Sequence, residues 1–231
     1  MSTIDMTSKS KITLCIEGNV GVGKSTFLAF LQKHLDVDLL FEPNELWQDV
    51  DGYNLLEQFF LNPTRWAYSF QSYILCTRVD QLLQEYHALS DKVCVVERSI
   101  YSGRYCFAQV AREIGIMDGL EWSLYCKLWD REEARVARLP DGFVYLRTPA
   151  SICYNRISHR GRFEEKPITL DYLKRIEQKY EDWFMHKTGI DSVLGAVPTL
   201  VLDLSGDLTV DIDMQEHYLK QVTDFLKDIQ G

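Results

Sequence analysis

The chain has no apolar run long enough to cross a bilayer, for which about 20 consecutive apolar residues are needed. It has no Cys-x-x-Cys pair either: cysteines 15, 76, 94, 106, 126 and 153 are scattered through apolar segments. Zinc is therefore not expected, and the thiols read as buried and reduced. Positive charge is scarce, with 25 Lys and Arg against 34 Asp and Glu and a net charge of −9. That balance argues against a nucleic-acid polymer as partner. The opening MSTIDMTSKSK lacks both an apolar signal core and arginine. Neither secretion nor organelle import is expected, which makes the cytoplasm the default compartment, with no membrane partner. Residues 1–10 are expected to be disordered. Repeats, low-complexity tracts and linkers are missing as well, and 231 residues suit a single domain over 1–231.

What is present is a regular alternation. Five short apolar runs read as buried parallel strands: Ile12–Ile16, Asp38–Phe41, Lys92–Glu97, Phe143–Arg147 and Thr199–Asp203. Helical patterns separate most of them, covering Thr64 to about Leu89 after Pro63, Gly119–Ala137, Asp171–Lys187 and Gln215–Lys227. The expected fold is α/β, a five-stranded parallel sheet flanked by helices. In such sheets the functional groups gather at strand C-termini. Here the first strand runs into Gly18-Asn19-Val20-Gly21-Val22-Gly23-Lys24-Ser25-Thr26, the second into Glu42-Pro43, and the third into Glu97-Arg98-Ser99.

The first of these segments is a phosphate-binding loop. Glycines let successive backbone N–H groups converge on phosphate oxygens, and the following helix offers its positive end. Lys24 would reach the outer phosphates of ATP, and Ser25 would ligate Mg2+. Glu97 sits where a second magnesium-associated carboxylate belongs, and Arg98 can reach the transferring phosphoryl group; the bland alternative is a solvated strand end. Glu42 is the leading general base, in a direction fixed by Pro43. Arg156, Arg160 and Arg162 lie at near-helical spacing beside Gly161, and read as an arginine-rich lid over about 156–168. An aromatic group including Trp47, Phe60, Phe70 and Phe107 is either core or a base-stacking wall. Gln71 and Arg78 stand two turns apart on one helix, as donors to a base edge.

Taken together, GNVGVGKST, EPxxxW at 42–47, NPxRWAYSFQSY at 62–73, ERSIYSGRY at 97–105 and RGRFEE at 160–165 resemble the deoxyribonucleoside kinases over nearly the whole chain. The resemblance implies a P-loop kinase fold and ATP-dependent phosphorylation of a deoxyribonucleoside 5′-hydroxyl. Glu42 then matches the catalytic base, Arg98 the arginine that positions it, and Glu97 its magnesium-associated partner. Gln71 matches the glutamine on the nucleobase, with Phe107 and Trp47 in the base pocket. Glu165 matches the lid glutamate on the sugar 3′-hydroxyl, and Arg160 and Arg162 match lid arginines. Asp203 onward resembles the loop around the donor adenine. A homodimer joined through helices is also implied.

Two departures stand out. Relatives usually carry tyrosine where this chain has Phe60. At Gly103 the deoxycytidine and deoxyguanosine kinases carry an aspartate that pairs with an arginine matching Arg78. Here the arginine is kept and the carboxylate is missing, so Arg78 offers donors only. An acceptor-rich edge such as guanine O6 and N7 would suit it, giving a lean to purine deoxynucleosides, guanine first. A bridging water would reverse that lean. The alternatives are a nucleoside monophosphate kinase and a non-catalytic nucleotide-binding switch.

Overall fold

The computed structural model describes residues 12–85, 93–136 and 138–230, so the expected disorder of residues 1–10 falls outside it. In chain order the elements are β1 (Thr13–Glu17), α1 (Lys24–His34), β2 (Val37–Leu40), α2 (Asn44–Gln48), α3 (Leu55–Leu61) and α4 (Pro63–Glu85). Next come β3 (Val93–Glu97), α5 (Ile100–Ser102), a π-helical segment (Gly103–Ala108), α6 (Gln109–Glu113) and α7 (Gly119–Glu133). The chain continues through β4 (Gly142–Arg147), α8 (Ala150–Arg160), a 3-10 turn (Phe163–Glu165), α9 (Leu170–Phe184), α10 (Ser192–Gly195), β5 (Thr199–Asp203) and α11 (Ile212–Gln230).

The five strands form one parallel sheet in the order β2-β3-β1-β4-β5. Both faces are covered, as the uninterrupted apolar strands require. Alternate residues go to opposite sides: Leu14, Ile16, Val144 and Leu146 join a core with α1, α8 and α11. Cys15, Phe143 and Tyr145 join a core with α4, the π-helical segment, α7 and α9.

Each predicted strand is present, with ends moved by one residue or none; Lys92 lies outside the described residues, as do Leu89 and Ala137. Local chemistry explains the helix starts. Pro63 is the first residue of α4, where a missing N–H costs nothing, and the Asn62 side chain accepts from Arg65 N–H at 3.2 Å. Asp118 and Glu121 form a reciprocal capping box at the start of α7. The helix α8 carries Arg156 and Arg160 of the three spaced arginines. It ends at Arg160 because Gly161 takes a left-handed conformation (φ 66°) as its cap. Arg162 therefore lies beyond the helix, and the three arginines do not share one helical face.

Candidate active site

The sheet order puts β1 between β3 and β4, so the strand ends carrying Glu17, Glu97 and Arg147 lie side by side, with β2 leading into Glu42 next to β3. A cleft of about 180 Å³ opens on this edge. It brings together Val20, Gly21, Gly23, Lys24, Ser25, Thr26, Glu42, Trp47, Phe60, Phe70, Gln71, Arg78, Glu97, Arg98, Gly103, Phe107, Arg160, Arg162 and Glu165. Gly18, Asn19, Val22, Arg156 and Asp203 do not line it.

Backbone geometry builds the phosphate loop. Gly21 (φ 77°) packs so tightly that a Cβ would meet the Cys153 carbonyl oxygen at 2.7 Å. Gly23 (φ 107°) is the left-handed residue from which α1 starts, and no side chain caps that start, which is the arrangement an anion-binding helix N-terminus needs. Asn19 works from behind: its side chain donates to Leu173 O at 2.8 Å, tying the loop to α9. Val22 is fully buried. The buried Lys24 Nζ donates to Gly18 O (3.2 Å) and Asn19 O (2.9 Å). That leaves one ammonium N–H for a phosphate oxygen. Burial, followed by the like charge of Arg98, holds the Lys24 pKa well below the usual lysine value.

Opposite the loop lies a buried carboxylate held by two arginines. Arg98 Nη1 donates to Glu42 Oε1 at 3.1 Å and Oε2 at 3.0 Å, while its Nη2 donates to Gly18 O at 3.2 Å. Arg78 Nη2 pairs with Glu42 Oε1, and its Nη1 donates to Ser99 O at 3.2 Å. Burial and the nearby Arg98 charge lower the Arg78 pKa to about 10. Arg78 is thus occupied by Glu42 and Ser99 O and is not a donor waiting for a base edge. The Nε atoms of both arginines are buried without a hydrogen-bond partner. Glu97 is buried rather than a solvated strand end, and its Oε1 accepts from Ser25 Oγ at 3.2 Å.

The apolar part of the cleft is orderly. Phe59 stacks on Phe70 with centroids 4.5 Å apart and packs against Phe60, and Phe107 lies under the Arg98 guanidinium at 4.8 Å. Trp47 Nε1 donates to Thr77 Oγ1 at 2.9 Å, and Gln71 is buried. A Cβ at Gly103 would meet nothing within 4 Å.

The segment expected to form a lid divides into two parts. Arg160 donates to Glu165 at 2.6 and 3.2 Å, and Arg162 lies 3.8 Å from the same carboxylate. Arg156 is committed elsewhere: it donates to Val22 O (2.8 Å), Leu204 O (2.9 Å), Ser205 O (3.3 Å) and Gly206 O (2.7 Å). It clamps the loop after β5 against the phosphate loop instead of lining the cleft. Asp203 caps that same loop, accepting from Ser205 N–H at 3.0 Å. Cleft residues that sequence reasoning missed include Asn44, Leu56, Ile74, Ser102, Ile168 and Tyr172. Tyr172 and Ile168 lacked any motif; their signal was only nearness to the lid.

A glycine cradle opening a helix, facing a carboxylate–arginine pair across a cleft, defines a phosphate-transferring enzyme on a P-loop α/β sheet. A sequence profile of the deoxynucleoside kinase family matches residues 14–227. Chicken (Gallus gallus) deoxycytidine kinase 2 is 35% identical, over 92% of this chain and 89% of that protein. A probable deoxycytidine kinase of fowlpox virus is 33% identical, over 94% and 88%. Mitochondrial thymidine kinase 2 of Macaca fascicularis is 33% identical, over 84% and 71%. The chain belongs to the deoxynucleoside kinase family and is a deoxynucleoside kinase.

Proposed function

We propose that this enzyme transfers the γ-phosphoryl group of ATP to the 5′-hydroxyl of a deoxyribonucleoside. Glu42 takes the hydroxyl proton, the 5′-oxygen bonds to the γ-phosphorus, and the bond to the β-phosphate oxygen breaks to leave ADP. The observation that carries this reading is Arg98, which holds Glu42 at 3.0 Å and the phosphate loop at 3.2 Å at once. It fixes the distance between base and donor. Mg2+ would be held by Ser25 and Glu97. Among the described residues no three of His, Cys, Asp and Glu cluster as a metal set. A hydroxyl and one carboxylate still suit magnesium, which keeps water and phosphate as its other ligands. When bound, it neutralises charge on the phosphates.

Phe70, Phe107, Trp47 and Phe60 form the wall for the base, with Gln71 at its edge. Glu165 serves the sugar 3′-hydroxyl without help from Phe60, and Arg160 and Arg162 turn from Glu165 to the phosphates on lid closure. Arg156 and Asp203 act on the donor through the loop they brace. Purine deoxynucleosides are preferred, guanine first, because Gly103 leaves space for a larger base and Arg78 offers donors only. Deoxycytidine is the second reading, favoured by the names of the relatives. The exposed Leu120 and Leu124 of α7 support a homodimer, and the cytoplasm is the proposed compartment.

Competitive phosphorylation of the four deoxynucleosides, each offered with and without a 5′-phosphate, tests the reading. Product at the 5′-position of unphosphorylated nucleosides, deoxyguanosine foremost, is expected. Activity on monophosphates alone would make the enzyme a monophosphate kinase, and preference for deoxycytidine or thymidine would discard the purine lean.

A further inference from the structure

Glu17 is fully buried, one residue before the glycine cradle, and the chemistry above does not use it. Its Oε1 accepts from Ser99 N–H at 2.7 Å and from Ser99 Oγ–H at 2.6 Å, and its Oε2 accepts from Tyr180 O–H at 3.1 Å. Burial and the Glu17 charge raise the Tyr180 pKa well above the usual phenol value, in keeping with a hydroxyl that donates.

These bonds sit beside a strained turn. Arg98 adopts a left-handed conformation (φ 59°), unusual for a residue with a long side chain. Three consecutive residues hold that turn by three different groups. Ile16 O accepts from Arg98 N–H at 2.9 Å, the Glu17 carboxylate takes both Ser99 donors, and Gly18 O accepts from Arg98 Nη2 at 3.2 Å. Without Glu17, the Ser99 N–H would be an unpaired buried donor. The turn would then relax toward an ordinary conformation and carry the guanidinium away from Glu42.

We infer that Glu17 is a positioning residue: it locks the Arg98–Ser99 turn so that one guanidinium spans Glu42 and the phosphate loop. The inference rests on the proposed role of Arg98. Three substitutions separate position from charge. Glu17→Gln keeps an oxygen for Ser99 without charge, Glu17→Asp keeps the charge but withdraws it by one methylene, and Glu17→Leu accepts nothing.

Expected is a kcat order of Gln above Asp and Leu, the last two down by about 10- to 100-fold, with KM for both substrates moved less than about threefold. In an Arg98→Ala background the Glu17 substitutions should cost little more, because they act through the missing group. If Leu does not fold, the Gln-against-Asp order and the double substitutions still decide. Unchanged kcat in Asp, the reverse order, or full additivity with Arg98→Ala overturns the inference. If Arg98→Ala alone keeps wild-type kcat, the proposed role of Arg98 fails instead.

Discussion

At the scale of single residues, Arg78 is the side chain whose partners define the site's state. Its guanidinium is held by Glu42 and Ser99 O, and Gly103 offers it no carboxylate. Glu42 thus carries two arginine partners where transfer needs one. On the proposed mechanism a base edge bearing acceptors would compete with Glu42 for Arg78, linking base binding to the surroundings of the proposed general base. Gly103 has right-handed helical backbone angles and open space beside it. An aspartate there is sterically allowed. Gly103→Asp should draw Arg78 away and supply an acceptor for an exocyclic amine. We expect deoxycytidine to gain about tenfold in kcat/KM relative to deoxyguanosine, the worth of one charged hydrogen bond. A ratio that does not move would show that this position does not face the base.

At the scale of elements, the strands were legible because a parallel sheet buried on both faces writes itself as continuous apolar runs. The phosphate loop was legible because its glycines are required by backbone geometry, whatever the neighbours. The helix α8 was harder to read. Its apolar residues are few, its arginines suggested a lid face, and only Gly161 marks where it stops. What Arg156 touches depends on the loop after β5, nearly 50 residues further on, and no local pattern carries that information. Glu17 was hidden differently: it stands immediately before the phosphate loop, but its partners Ser99 and Tyr180 come from β3's end and α9. Arg156→Met should release the 204–206 loop from the phosphate loop. KM for ATP is expected to rise on the order of tenfold with the deoxynucleoside KM little changed. Equal loss for both substrates would mean a general collapse of the cleft.

At the scale of the whole molecule, two cores clasp one sheet, and the edge where the strand ends meet is left for chemistry. Leu120 and Leu124 are the exposed apolar residues of α7, facing outward from the core that α7 shares with α4. Sedimentation equilibrium is expected to give twice the chain mass, and charge introduced as Leu120→Glu with Leu124→Glu should return a monomer that still folds. A monomeric wild-type chain at working concentrations would remove the dimer from the account.

Central to the proposed mechanism, the Glu42 carboxylate accepts the proton of a nucleoside hydroxyl while the cradle holds the donor. Single-turnover transfer by Glu42→Gln, with nucleoside and ATP both saturating, measures it most directly. The account predicts a rate lower by about 10²- to 10⁴-fold, with nucleoside affinity kept within a few-fold. A rate within about threefold of the unaltered enzyme would contradict it, because proton transfer to this carboxylate would then contribute nothing.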